Sequence, residues 1–187
     1  MADDVKKELE MRFPSLKLVR ELGNYLHIMV KAPYSVEAVL MAKTRLGYGI
    51  LQLISAVDRI EDGVFQITWI LENYEDSAVL LISAPYPREK CRVPSLSLIW
   101  PAASAFEREL FEMYGISFPG NPREGEDFLL EGWTDIPPMR RDFDTEKYSM
   151  EKFGERQPRE HTDPRQYVGD IVGEWDTTLG RKRRGEK

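Results

Sequence analysis

The sequence is short of the residue types from which proteins build metal and redox centres. It has one cysteine, Cys91, and two histidines, His27 and His161, among 187 residues. A lone thiol excludes a disulfide framework within the chain. It also excludes an iron–sulfur cluster or thiolate zinc site built by this chain alone, since either needs several cysteines. Two histidines are too few for a multi-histidine metal site. Positive charge is not in excess: the formal net charge is −6, which argues against a dedicated nucleic-acid binder. Long apolar runs are missing as well. The longest, near Gly49–Val57 and Ser77–Tyr86, fall short of the ~18 residues a membrane helix needs. The charged opening, Met-Ala-Asp-Asp-Val-Lys-Lys-Glu, lacks the apolar core of a signal peptide, so a cytoplasmic protein is expected. Amides are scarce, limited to Asn24, Asn73, Asn121, Gln52, Gln66, Gln157 and Gln166. Beside 31% charged residues, this hints at a thermophilic source.

What is present suits an ordinary soluble domain. Hydrophobic residues make up 42%, enough to bury a core. The length fits one domain with an extension, or two small ones. Asp3–Arg12 reads as a charged helix stopped by Phe13-Pro14, and Tyr25–Lys31 as a first strand. Ser35 is a candidate N-cap for a helix through Arg45, ended by Gly47 and Gly49. Ile50–Ile60 and Val64–Glu72 are apolar runs joined by Glu61-Asp62-Gly63, a hairpin signal. Ser77–Pro85 supplies another strand. The order predicts an α+β fold, an antiparallel or mixed sheet with helices on one face. The expected division places this domain in residues 1–118 and a proline-framed segment with a C-terminal arm in 119–187.

The first region should end in a helix, Ala102–Tyr114, opened by Pro101 and closed by Gly115. Phe106, Leu110, Phe111, Met113 and Tyr114 share one arc of its wheel. Arg108 and Glu112, four residues apart, can pair. Glu107 points into the apolar arc. A carboxylate there either lies at the arc's edge or must find a cation or several hydrogen-bond donors.

Beyond Pro119, prolines 122, 137 and 138 forbid long helices. Pro137-Pro138 precedes Arg140-Arg141-Asp142-Phe143 and predicts an extended, rigidly presented arginine strip. After Asp144 apolar residues thin out, and Gly154–Gln166 contains none. Such a stretch gains too little burial to order alone. It reads as an arm that lies along a partner, or as a solvated tail. Arg181-Lys182-Arg183-Arg184 is a basic run of the kind that most often is solvated.

No reactive apparatus is visible. Neither GxxxxGK[ST] nor GxGxxG occurs, and no GxSxG elbow. Glu107, Glu109 and Glu112 could suggest a carboxylate metal cluster, but a di-iron site would need Glu-x-x-His pairs that are absent. Cys91 reads as a small buried hydrophobe, His27 as structural, and His161 as solvent-facing.

The middle of the chain resembles a known family. Ile54-Ser55-Ala56-Val57-Asp58, Val93-Pro94-Ser95 and Trp100-Pro101-Ala102-Ala103 resemble successive stretches of the 30 kDa subunit of respiratory complex I, also known as the C subunit of NADH–quinone oxidoreductase. The strongest match is Glu107-Arg108-Glu109-Leu110-Phe111-Glu112-Met113-Tyr114-Gly115-Ile116. Pro119-Gly120 and Trp133…Pro137-Pro138-Met139-Arg140-Arg141-Asp142-Phe143 continue it in order.

The resemblance implies a non-catalytic scaffold subunit in the hydrophilic arm of a complex I-like membrane-bound oxidoreductase. Partners would be the hydrogenase-like large subunit and small iron–sulfur subunits. Cofactors, iron–sulfur clusters and in some branches NiFe, would sit in those partners and none in this chain. Nucleic acid is not a partner, and the membrane is met only through the complex, on its cytoplasmic face. The motif residues expected to matter are Glu107, Arg108, Glu109, Glu112, Tyr114, Gly115, Pro119, Trp133, Arg140, Arg141, Asp142 and Phe143, with Glu107 joined to Arg140/Arg141 within the chain or across to the large subunit. Phe106 stands where the family usually has Trp. Asn121-Pro122 and the acidic Glu124–Asp127 stand where it has His-Pro and a basic, Leu-rich stretch. These departures tilt the reading toward an archaeal membrane-bound hydrogenase or a sulfur-linked relative. The alternatives are the corresponding subunit of an NADH- or other quinone-reducing complex, and remotely a stand-alone carboxylate-based enzyme.

Overall fold

The computed structural model describes residues 2–154. The arm beyond Gly154, with His161, Trp175 and the basic run at 181–184, lies outside the described residues. Residues Met1–Thr145 form one unit and Glu146–Lys187 another. Within the first, α1 (Ala2–Arg12) leads to β1 (Lys17–Leu22) and β2 (Tyr25–Met29), then α2 (Ala32–Arg45), β3 (Ile50–Arg59), β4 (Val64–Asn73), β5 (Ala78–Pro87) and α3 (Ala103–Tyr114). A nine-residue helix, α4 (Thr145–Phe153), starts at the boundary.

The sheet runs β1-β2-β5-β4-β3. It is mixed: β2 and β5 are parallel, every other neighbouring pair antiparallel. Register stacks inward residues in rows across the strands. Leu26, Leu80, Leu71 and Leu51 form one row, and Ile28, Ile82, Trp69 and Ile54 the next. All are buried. Helices α2 and α3 pack on this face. Ser35 of α2 shares a hydrogen bond with the Tyr86 hydroxyl at 2.5 Å, and Tyr114 of α3 meets Phe65 edge-on at 5.9 Å between centroids. The α+β architecture with a mixed sheet is the one the chain predicts.

Local details differ from expectation. Nothing in the sequence marks strand β1, because every residue of it is exposed and no inward alternation sets it apart. Ser35 does not cap α2. The helix opens at Ala32 behind Lys31, with Pro33 in its first turn, while Ser35 is buried against Tyr86. The β3–β4 connection is a short 3-10 turn over Ile60–Asp62 closed by Gly63 at φ 67°, a left-handed conformation that glycine adopts without a Cβ clash.

Candidate functional site

Helix α3 is built as expected, and Gly115 ends it in the left-handed region at φ 75°, donating to the Leu110 and Phe111 carbonyls. Its charged residues reach three separate loops. Glu107 is 1% exposed, so the inward reading holds and the edge reading does not. It takes neutral donors. Oε1 accepts from the Leu96 N–H at 2.7 Å, and Oε2 from Ser95 Oγ at 2.6 Å and Asn121 Nδ2 at 2.9 Å. The carboxylate thereby fastens the Val93–Ser97 loop and the Pro119–Asn121 turn to the helix. The Ser95 N–H also donates to the Pro119 carbonyl. Burial pushes the Glu107 pKa up, against the pull of its three donors.

Arg108 and Glu112 do not pair with each other. The Arg108 guanidinium lies over the Phe128 ring and donates to the Asp127 carbonyl. Glu112 accepts three successive backbone N–H groups, from Phe128, Leu129 and Leu130 at 2.8–3.1 Å. Burial opposes its ionisation, but these donors and nearby Arg108 win and hold its pKa below the usual range. The loop competes for both side chains with directed backbone groups, and an exposed i,i+4 pair worth a few tenths of a kcal/mol cannot displace them. Glu109 lies between these residues on α3 and makes no hydrogen bond or ion pair to a described residue.

A second locus centres on Asp58, which is 5% exposed at the end of β3. Arg88 forks onto it at 2.9 and 3.1 Å and also donates to Asp142 at 2.6 Å. The Arg141 N–H donates to Asp58 Oδ2 at 2.9 Å. Burial opposes ionisation of Asp58, but Arg88 and the Arg141 N–H outweigh it and lower its pKa. The Arg88 hydrogen bond to Asp142 chiefly lowers the pKa of that carboxyl.

The arginine strip is therefore held to the sheet, and it is turned rather than extended. Arg140 N donates to the Pro137 carbonyl and Phe143 N to that of Arg140, while Met139 N donates to the Met113 carbonyl at the end of α3. Two prolines fix where the chain turns, and the free N–H groups that follow then find acceptors on other elements. The expected Glu107–Arg140/Arg141 junction within the chain does not form. Arg140 pairs with Asp142 at 3.2 Å, and Arg141 with Glu61 at 2.6 Å. Trp133 stacks obliquely on Phe143 at 5.6 Å and donates to the Ile136 carbonyl.

Sequence reasoning missed Asp58, Arg88, Ser95 and Asn121 as site residues. Asp58 carries the same signal as Glu107, a carboxylate in the inward phase of an apolar element, in step with Ile54 and Ala56. The Asn121 amide is one of the donors to Glu107. Cys91 is buried as expected, and burial pushes its thiol up to about 12. Among the described residues no group of His, Cys, Asp and Glu could hold a metal, and no helix is long and apolar enough to cross a membrane.

The chain is similar to known proteins in sequence and in fold. The family model described as respiratory-chain NADH dehydrogenase, 30 Kd subunit, matches residues 28–149. The NADH-quinone oxidoreductase C subunit of Moorella thermoacetica is 30% identical over 141 residues, covering 75% of this chain and 94% of that protein. The chloroplastic NAD(P)H-quinone oxidoreductase J subunit of Piper cenocladum is 32% identical over 114 residues, 59% of this chain and 70% of that protein. In fold, the chain is similar to one from the membrane-bound sulfane sulfur reductase, an archaeal respiratory membrane complex. The TM-score is 0.75 at 23% identity, over 87% of this chain and 96% of that one. A trypsin-resistant fragment of Nqo5 matches at a TM-score of 0.56 and 20% identity, over 65% and 97%.

Proposed function

The chain belongs to the respiratory-chain NADH dehydrogenase 30 Kd subunit family, and from that premise we propose that it is a non-catalytic brace in the peripheral arm of a complex I-like respiratory complex. It packs on the hydrogenase-like large subunit beside small iron–sulfur subunits, on the cytoplasmic face, and keeps their electron path in register with ion translocation. The clusters, and NiFe where the complex is a hydrogenase, belong to those partners.

One observation supports this reading most. Glu107 holds the backbone of the Val93–Ser97 loop, Arg108 and Glu112 together hold that of the loop at 127–130, and Asp58 holds the Arg140–Phe143 strip. Charges committed this way shape a surface; they are not free to shuttle protons or bind substrate. Buried charged contacts of this kind fix geometry more than they add stability.

The finer reading is a sulfur-linked or hydrogenase-type complex. The acidic Glu124–Asp127 stretch and the fold likeness to the archaeal sulfur reductase chain support it. The named sequence relatives support an NADH- or quinone-linked complex instead. Purification through a tag on this chain, followed by assays with sulfane sulfur, hydrogen and NADH as separate substrates, decides between them. Metal analysis and a substrate screen of the isolated chain test the stand-alone enzyme, which an inert, metal-free monomer dismisses.

A further inference from the structure

The sheet's two edges are finished differently. The outer strand β1, Lys-Leu-Val-Arg-Glu-Leu, interleaves charges along its length, a common defence against added strands. The other outer strand, β3, does the opposite. After an irregularity between Leu51 and Leu53, it runs Leu53-Ile54-Ser55-Ala56-Val57 with no charge and no proline. Among the described residues no strand pairs with its outer side, and Leu53 and Val57 are 38% and 52% exposed. Such an edge presents a row of unpaired backbone donors and acceptors.

Beside this edge lies a groove of about 380 Å³, lined by Leu53, Ile54, Glu109, Met113, Tyr114 and Met139. Its lining is mostly apolar, with Ser55 and Tyr114 as neutral polar residues and one charge. Glu109 is half-buried in its wall and has no hydrogen-bonding or ion-pairing partner among the described residues, whereas Glu107 and Glu112 on the same helix are fully engaged. Met139, in the groove's wall, is tied to the Met113 carbonyl of α3, and Arg141 just beyond it to Asp58.

We infer that this groove receives an extended apolar segment of another chain, which adds a strand along Leu53–Val57 and sets one lysine or arginine on Glu109. Main-chain pairing supplies affinity, side chains in the groove supply register, and the cation selects the partner. A carboxylate in an apolar wall favours a single cation there, and opposes a second copy of this chain that would bring its own Glu109 to the same edge. The inference rests on the subunit reading and specifies where one partner docks.

The test uses the intact complex purified from cells. Two variants are compared with the wild type, Glu109→Arg and a charge reversal at the exposed Glu10 of α1. Glu109→Arg should lower incorporation by about tenfold or more, a like-charge clash worth at least one decade of affinity, while Glu10→Arg should incorporate normally. In parallel, Leu53→benzoylphenylalanine is irradiated in the complex and the adduct sequenced. A cross-link to another subunit, on a segment bearing Lys or Arg, is the expected result. A cross-link to a second copy, to residues 155–187 of this chain, or to nothing overturns the inference, as does normal incorporation of Glu109→Arg. If the wild-type chain itself fails to enter any complex, the subunit reading falls first.

Discussion

Two buried carboxylates fasten loops to this fold, and they do it by opposite means. Asp58 is ionised against a guanidinium, with Arg88 forked onto it and a backbone N–H completing the shell. Glu107 has no cation and relies on a hydroxyl, a backbone N–H and a primary amide. Both sites do the same work, since each joins segments distant in sequence. They differ in what each loses when disturbed. Removing Asp58 leaves a largely buried guanidinium with only the partly exposed Asp142 as counter-charge, whereas removing Glu107 strands only neutral donors.

Asp58→Ala should have the largest effect. It leaves the Arg141 N–H without its acceptor and the Arg88 guanidinium with Asp142 alone, and breaking a buried pair from one side costs up to about 3–5 kcal/mol. Urea denaturation of the isolated chain measures it, and a loss below about 1 kcal/mol would mean the Arg88 fork adds little. Glu107→Ala should cost less, about 2–3 kcal/mol, for unsatisfied donors and a small cavity. Glu107→Gln should cost about 1 kcal/mol, because the amide keeps one acceptor oxygen but turns its NH₂ toward Ser95 or Asn121. If the Gln and Ala variants were equal, the hydrogen bonds would not be what the site uses.

Acid should separate the two sites by sign. The depressed pKa values of Asp58, Asp142 and Glu112 mean stability present above the unfolded values and lost as pH falls through the folded ones. Glu107 runs the other way. Its raised pKa favours the protonated form in the fold, so acidification toward that value offsets part of the loss. Between about pH 5 and 2, Asp58→Asn should flatten the decline in stability, and Glu107→Gln should steepen it. Thermal melts across that range read the slopes, and identical slopes in both variants would refute the distinction. The smallest effect belongs to Arg141→Ala. Its pair with Glu61 is exposed on both sides, at 56% and 62%, so less than about 0.5 kcal/mol is expected. The strip is held by the Arg141 N–H, which the alanine retains; Arg141→Pro, lacking that N–H, should cost several times more.

The β3–β4 hairpin, the ERE helix and its Gly115 stop are local signals, set by apolar periodicity and by glycine's access to positive φ. Glu107 is visible as a polar residue in an apolar arc. What occupies it is not, because Ser95 and Asn121 lie on loops whose approach depends on tertiary packing. For the same reason the arginine strip reads as extended: proline restricts its own neighbourhood, but the turns depend on acceptors contributed by α3 and β3. Strand β1 leaves no trace, since an edge strand exposed throughout has no inward phase to alternate.

This polypeptide is proposed to work only as part of a larger respiratory machine. Native size separation of solubilised membranes, with each fraction read by mass spectrometry, is the decisive measurement. The chain should peak together with a hydrogenase-like large subunit and iron–sulfur subunits, in a particle several times its own 21.7 kDa. A peak at the monomer's mass, with those subunits assembled elsewhere, would contradict it.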